Sequence, residues 1–281
     1  VSGADATSFE ARIVLRPRTL DETFDLALAY VRVHHRDLRR CFVAALVAAL
    51  APAAAAWLLL PDAPGIAGVL LILGVGVAER AVTVFAGRHL FGNPISVWAA
   101  WRQVLRRLPF NLAVVAGVYL PVLLMAAVAF EDDAWVGGGV VLGVFWPFLL
   151  ASHAHVSEVA HLEHLSAGRA TQRARSLVAY RFGRALGLLI TGAAVRAGAA
   201  AVTVSLGTFV VGWVLQFGAL AELGRIPLAV LGLGLSGPFM AMVRFFDYID
   251  ARTRREGWDI QVRFNAVAQR ARQAQAGGLA A

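Results

Sequence analysis

The sequence contains no lysine and a single cysteine; all 26 of its basic side chains other than histidine are arginines. Arginine without lysine points to a GC-rich bacterial genome. One cysteine, Cys41, excludes an internal disulfide and any multi-cysteine zinc or iron–sulfur centre. Beside an apolar run, it is expected to be a small packing residue rather than a reactive or lipidated one. Charge is scarce as well: 16% of residues are charged and 59% are hydrophobic. Together with a mean hydropathy of +0.66, this excludes an ordinary soluble domain, whose apolar content is about 45–50%. Also missing are a phosphate-binding glycine loop, a Gly-x-Ser-x-Gly elbow and a paired-carboxylate motif. No cleavable signal peptide is expected, because the first apolar run begins only after forty mostly polar residues.

What the chain does have is a series of apolar runs of bilayer-spanning length. Six spans are expected, at roughly 42–60, 66–88, 111–130, 135–156, 185–206 and 226–246. The predicted fold is all-α: three hairpins of transmembrane helices, each preceded by an amphipathic interfacial helix. The first of these helices starts with a capping-box pattern at Thr19 and Glu22. Leu20, Phe24, Leu28, Val31 and Leu38 share one side of it, while Asp21, Asp25, Arg32, Arg36 and Arg39 share the other. Such a helix lies in the membrane interface. The second is expected to be capped by Asn93, with Pro94 at its first position. It carries Val97, Trp98, Trp101, Val104, Leu105 and Leu108 against Arg102, Gln103, Arg106 and Arg107. The third opens at Ser166 and carries Arg169, Arg173 and Arg175 on its polar side.

Starts near 19, 93 and 166 read as an internal repeat, with units at about 19–92, 93–165 and 166–246. A lead of residues 1–18 precedes them, and a polar tail of residues 247–281 follows. Turns at Pro61–Gly65 and Glu131–Asp133 join the helices on the far side. Residues 207–224 are also apolar, and an interfacial helix is expected there rather than a seventh span. In this arrangement 23 of the 26 arginines fall on one side; Arg80 and Arg196 lie inside spans and Arg225 falls opposite. That asymmetry puts both termini in the cytoplasm of a bacterial inner membrane. A pI near 11 would suit nucleic acid, but arginines beside apolar runs are orientation signals, so the expected partners are the bilayer, anionic phospholipid headgroups and other protein subunits, not nucleic acid.

Charges inside spans point to function or to a register-fixing ion pair. Glu79 and Arg196 stand at depths within ~3 Å of each other, counted at 1.5 Å per residue, and are expected to pair in the bundle interior. Arg80 is near enough to the interface to snorkel. His155, Glu158, His161 and His164 descend one helix at intervals of three. They are candidates for a metal site, but the spacing lacks the zinc-protease pattern, so solvated interfacial imidazoles are the plainer account. No cofactor is called for. Glycines in 68–76, 136–143 and 232–237 read as small-residue helix contacts, and Pro121, Pro147 and Pro238 as kinks.

The stretch Glu163–Leu189, EHLSAGRATQRARSLVAYRFGRALGLL, has the form hydrophobic run, Glu, linker, Ala-x-x-Arg-Ser, Leu-Val, Arg-Phe, Gly-Leu. It resembles a signature of bacterial membrane proteins labelled as the membrane domain of glycerophosphodiester phosphodiesterases. The segment from Thr19 to Arg40 resembles that family's N-terminal part. The pattern formed by Tyr248, Asp250, Arg252, Arg254, Glu256, Gly257 and Asp259 is similar to its ending. The resemblance implies a six-span, three-hairpin domain with no activity of its own; the soluble barrel and its metal-binding carboxylates are not in this sequence, so phosphodiester hydrolysis is not carried over. The sequence therefore favours a non-catalytic membrane subunit. It would dock partners or headgroups through Arg102, Arg106, Arg107, Arg169, Arg173 and Arg175 and through the Tyr248–Asp259 tail. The alternatives are a lipid or small-molecule transporter using Glu79 and Arg196, and, more remotely, an intramembrane metalloenzyme using His155, Glu158 and His161.

Overall fold

The computed structural model describes residues 16–60, 64–114, 147–148, 150–218 and 224–257, and among them there is no β-strand. The helices are α1 (Leu20–Val33), α2 (His35–Leu59), α3 (Pro64–Leu90), α4 (Val97–Leu105), α5 (Val156–Leu162), α6 (Ala167–Val178), α7 (Phe182–Thr208) and α8 (Arg225–Glu256). Four of them, α2, α3, α7 with its continuation, and α8, are long and apolar enough to cross a membrane. The spans expected at 111–130 and 135–156 lie mostly outside the described residues. So do Pro121, the 131–133 turn, the 136–143 glycines and Asp259.

Helix α2 packs chiefly on α3, and α7 on α8, while α3 and α8 meet in the middle. The joints are made by small side chains. In lipid, helices gain little from hiding apolar surface and associate by close backbone approach instead. Accordingly α2 buries Cys41, Ala45, Ala49, Ala53 and Ala56, at helical spacing, below Leu38. A Cβ on Gly74 of α3 would stand 2.9 Å from the carbonyl oxygen of Ala49, and one on Gly232 of α8 would stand 2.6 Å from that of Ala199. These two glycines are fixed by contact with a neighbouring backbone, which no rotamer change relieves. Gly68, expected to make a similar contact, faces open space.

Large apolar side chains follow the opposite logic. Val43, Val47, Trp57, Leu58 and Leu59 of α2, and Ile190, Val202 and Leu206 of α7, are exposed. Helix α1 buries Thr23, Ala27 and Tyr30, with Leu20, Phe24 and Val31 beside them partly buried against the core and Leu28 47% exposed. An exterior greasier than the joints is the sign of a chain whose outer solvent is lipid.

Several boundaries differ from those read off the sequence. The break between α1 and α2 falls at His34 instead of after Arg40, so the arginines at 36, 39 and 40 belong to the first turns of the spanning helix. Helix α4 is capped by Ser96, whose Oγ accepts the amide of Ala99 at 3.1 Å. Asn93 and Pro94 lie in the non-helical approach, and the near-equal spacing of the three surface helices shifts accordingly. Residues 207–214 do not form a separate helix: they prolong α7 and widen into a π-helical turn, Phe209–Val214. Helix α8 runs uninterrupted through Pro238 and past the expected end of the span at 246. It stops at Gly257, whose φ of 57° is the left-handed conformation that suits glycine at a helix C-terminus.

Burial is uneven along the bundle. The largest fully buried side chains include Leu38, Val82, Val84, Leu90, Phe245, Phe246, Tyr248 and Ile249. All lie towards the end where α2 begins, α3 and α8 finish and the arginines gather.

Candidate functional site

Two clusters of ion pairs occupy this arginine-rich part of the bundle. The deeper one is centred on Glu79 of α3. Arg196 of α7 donates from Nη2 to its Oε1, and Arg244 of α8 stands with Nη1 2.8 Å from its Oε2. Arg244 reaches on through Nε to Glu158 of α5, 3.4 Å away. One carboxylate thus joins three of the four long helices and is linked to the fourth of its elements, α5, by a shared guanidinium. Arg244 carried no signal in the sequence reading, because at the inner margin of a span it looked like one more orientation charge. Arg80, next to Glu79, turns back along its own helix and donates to the carbonyl of Gly76.

The outer cluster is built on the last turns of α8. Asp247 receives Arg184 Nε at 2.5 Å and lies 3.3 Å from His155 Nε2. One turn on, Asp250 accepts the backbone amide of Arg18 at 2.7 Å and Arg181 Nη1 at 2.5 Å. Arg254 approaches the same carboxylate at 3.3 Å. Arg184 and Arg254 each also donate to the carbonyl oxygen of Arg18, at 2.6 and 2.7 Å. The main chain at Arg18 is therefore clasped on both its amide and its carbonyl side, which fixes the residue just before the Thr19 cap of α1. A second patch links α5, α6 and α8. Glu163 accepts Tyr248 Oη at 2.8 Å and Arg173 Nε at 3.2 Å, and Glu256 receives both Arg173 and Arg252.

The sequence-selected residues thus fall into two groups. Tyr248 and Asp250 are buried, and Arg173, Arg252, Arg254 and Glu256 are tied into the same internal lattice. The described part of the tail, expected to meet a partner, closes the protein's own bundle, because its carboxylates and arginines find each other across α1, α6, α7 and α8. Gly257 ends the helix. Arg107 is also turned inward, donating to the carbonyls of Ala160 and Leu165. Arg102, Arg106 and Arg169 remain exposed. Arg175, exposed too, has Nη2 2.9 Å from His153 Nε2.

The histidine ladder does not converge on a point where a metal could sit. His155 turns to Asp247, Glu158 to Arg244, and His161 donates from Nδ1 to the carbonyl of Ser157 at 2.8 Å. His164 is exposed. Nor are these imidazoles solvated as a group: His155 and His161 are buried, because α5 is pressed between α3 and α6 instead of lying open on a surface. His155 Nδ1, Glu158 Oε2 and His161 Nε2 have no hydrogen-bond partner among the described residues. The grouping that does bring three metal-type donors together is His34, Asp37 and His89, with ligand atoms within 4.8 Å of one another. There Tyr30 Oη takes His89 Nδ1 at 2.6 Å and Asp37 faces Nε2 at 3.2 Å, so the ring that would anchor an ion is already engaged on both sides.

Burial, with Arg80 and Arg107 nearby, pushes the His161 imidazole from 6.5 down to about 4. It is therefore neutral in the folded protein at pH 7 and takes up a proton on unfolding anywhere between those two values. The stability it contributes is full above about pH 6.5 and is lost as the pH falls towards 4, about 3 kcal/mol in all. Thermal unfolding in detergent micelles at pH 7.0 and pH 4.5 is expected to show this loss. In His161→Asn, which keeps a donor for the Ser157 carbonyl, the difference between the two pH values should shrink; an unchanged difference would place the proton uptake elsewhere.

No protein family, curated protein or solved structure matches the chain. The functional argument consequently rests on the geometry.

Proposed function

We propose that this protein is a non-catalytic subunit or scaffold of a bacterial inner-membrane complex. In this reading six helices cross the bilayer as three hairpins, both termini are cytoplasmic, and the chain is akin to the membrane domains of the glycerophosphodiester phosphodiesterase family. The observation that carries the functional part is the division of the arginines. One set closes the bundle through Glu163, Asp247, Asp250 and Glu256. Arg102, Arg106 and Arg169 have no carboxylate within ion-pair distance among the described residues and stand exposed on α4 and α6. A rigid base with cationic side chains left over suits an acidic protein surface or anionic headgroups.

A photo-crosslinking residue placed at the exposed neighbouring position 99 or 172 in living cells tests this. A discrete protein adduct is expected, lost when Arg102, Arg106 and Arg169 are all changed to Glu in a chain that still resists extraction from membranes. Adducts to lipid alone would remove the subunit reading.

A second reading is transport through the interior, favoured by the continuous line Glu79–Arg244–Glu158 and by the unpartnered buried atoms of Glu158 and His161. Its test is proton or ion flux into sealed proteoliposomes, which Glu79→Gln must abolish; vesicles no leakier than empty ones would exclude it.

A further inference from the structure

Two adjoining cavities flank the start of α2. The first, of about 820 Å³, is lined by Arg36, Asp37, Arg39, Arg40, His89 and Ser96, among others. The second, of about 800 Å³, shares Arg39, Arg40 and Val97 with it and continues along Val43, Ala44 and Val47 beneath Trp98 and Trp101. The first gathers the charged side chains, three arginines against one aspartate, beside Phe85, Pro94 and Ile95. In the second, everything beyond the two shared arginines is apolar.

The pattern follows from one helical stripe. At 100° per residue Arg36, Arg40, Val43 and Val47 lie along one face of α2, so the face changes from guanidinium to hydrocarbon within a single turn. Arg36, Arg39 and Arg40 are exposed, and none has a carboxylate within ion-pair distance among the described residues. The one acid in the lining, Asp37, is directed at His89 Nε2. Across the groove Trp98 is 63% exposed and Val47 57%, an arrangement that water would penalise and a hydrocarbon chain would not. Tryptophan at such a boundary suits the headgroup level of a bilayer. From Arg40 to Ala48 the groove rises ~12 Å at 1.5 Å per residue, most of the depth of one leaflet of a ~30 Å hydrocarbon core. A soluble anion would use the cationic part and leave the groove unexplained. A metal ion would be repelled by three unpaired arginines.

We propose that cleft and groove together are a binding site for one anionic phospholipid. Its phosphate is held by Arg36, Arg39 and Arg40, and one acyl chain runs along Val43, Ala44 and Val47 between α2 and the tryptophans of α4. The inference rests on the membrane placement of α2 but not on any partner protein or transported substrate.

The test is native mass spectrometry of the full chain. The protein is released from nanodiscs of equimolar phosphatidylglycerol and phosphatidylcholine with identical acyl chains. One phosphatidylglycerol is expected to be retained in preference to phosphatidylcholine by at least about tenfold, since each arginine near an anionic headgroup contributes on the order of fivefold. Changing Arg36, Arg39 and Arg40 together to Gln should bring the two lipids to parity, whereas Arg225→Gln, exposed at the far end of α8, should leave the preference intact. Ala44→Trp or Ala48→Phe, which fill the groove, should lower retention of both lipids. Glycerol 3-phosphate at millimolar concentration should not displace the lipid. Equal retention of the two lipids by the unaltered chain, an unchanged preference in the triple variant, or displacement by the acyl-free phosphate would each overturn the site while leaving the membrane placement standing. A chain washed from membranes by alkaline carbonate would overturn both.

Discussion

Glu79→Ala is expected to destabilise the folded protein by about 3–5 kcal/mol, the range for removing one partner of a buried ion pair. Glu79 is 5% exposed, and its two oxygens are divided between Arg196 of α7 and Arg244 of α8. Without the carboxylate, Arg196 loses its ion-pair partner among apolar helices, where an unpaired charge costs upwards of ~2.5 kcal/mol, while Arg244 retains Glu158 at 3.4 Å. The consequence is specific to the joint between α3 and the α7–α8 pair. Unfolding in mixed micelles should shift for Glu79→Ala far more than for Val69→Ala, whose side chain is exposed. Replacing Glu79, Arg196, Arg244 and Glu158 together by Met should recover much of the loss, because a well-packed apolar cluster avoids the desolvation that the ions incur and leaves no buried carboxylate behind. A shift for Glu79→Ala within ~0.5 kcal/mol, the usual range for an unremarkable surface change, would mean that water reaches the site and that the pair does not hold the helices.

Asp250→Ala is expected to have a comparable effect with a different signature. This carboxylate accepts the Arg18 amide and Arg181, and Arg254 lies beside it. Its removal leaves cations massed around an acceptor that is no longer there, again about 3–5 kcal/mol. Part of the damage is local, since Asp250 fixes the residue before the α1 cap. Amide hydrogen exchange across α1 should accelerate before global unfolding does, while the amides of α2 and α3 remain protected. Asp250→Asn, which keeps an acceptor for the Arg18 amide, should lose less. Uniform acceleration over the whole chain would show that α1 is held by packing alone.

How much of this was legible follows from the range of each signal. Thr19 and Glu22 form the reciprocal cap read from their spacing, because a capping box is a contact among four consecutive residues. The cap of α4 lies three residues beyond the one the spacing predicts for a similarly local reason: Asn93 and Ser96 both have capping side chains, and Pro94 favours the first. What decides is that Ser96 has the extended backbone and reaches the Ala99 amide. Glu79 and Arg196 stood out as charges within apolar runs, and counting residues from the helix ends is enough to bring them to one depth. Arg244 did not stand out, and Glu158 stood out only beside the histidines as a metal candidate, not as the partner of a buried arginine. Each sits at the margin of a span, where charge is ordinary, and only the packing of α5 on α3 makes Glu158 a buried acid.

The tail was the least legible part. Tyr248, Asp250, Arg252, Arg254 and Glu256 read as a polar surface motif because nothing in a linear sequence says that a charged helix end will be enclosed by three other charged elements. Arg18, Arg173, Arg181 and Arg184 lie 63 or more residues away in sequence from the acids they meet on α8. Each contact is complementary only after the helices have assembled. The glycines show the same limit on a smaller scale, since Gly68 and Gly74 are alike in sequence and only Gly74 meets a neighbouring backbone.

Helix α8 has neither glycine nor proline between Arg244 and Glu256. That stretch of three and a half turns is an unbroken strut, with one foot on Glu79 and the other in the clasp around Arg18. A push or twist applied to the outer foot meets no glycine or proline joint on the way, and it is expected to reach the Glu79 carboxylate as a rotation of the whole strut.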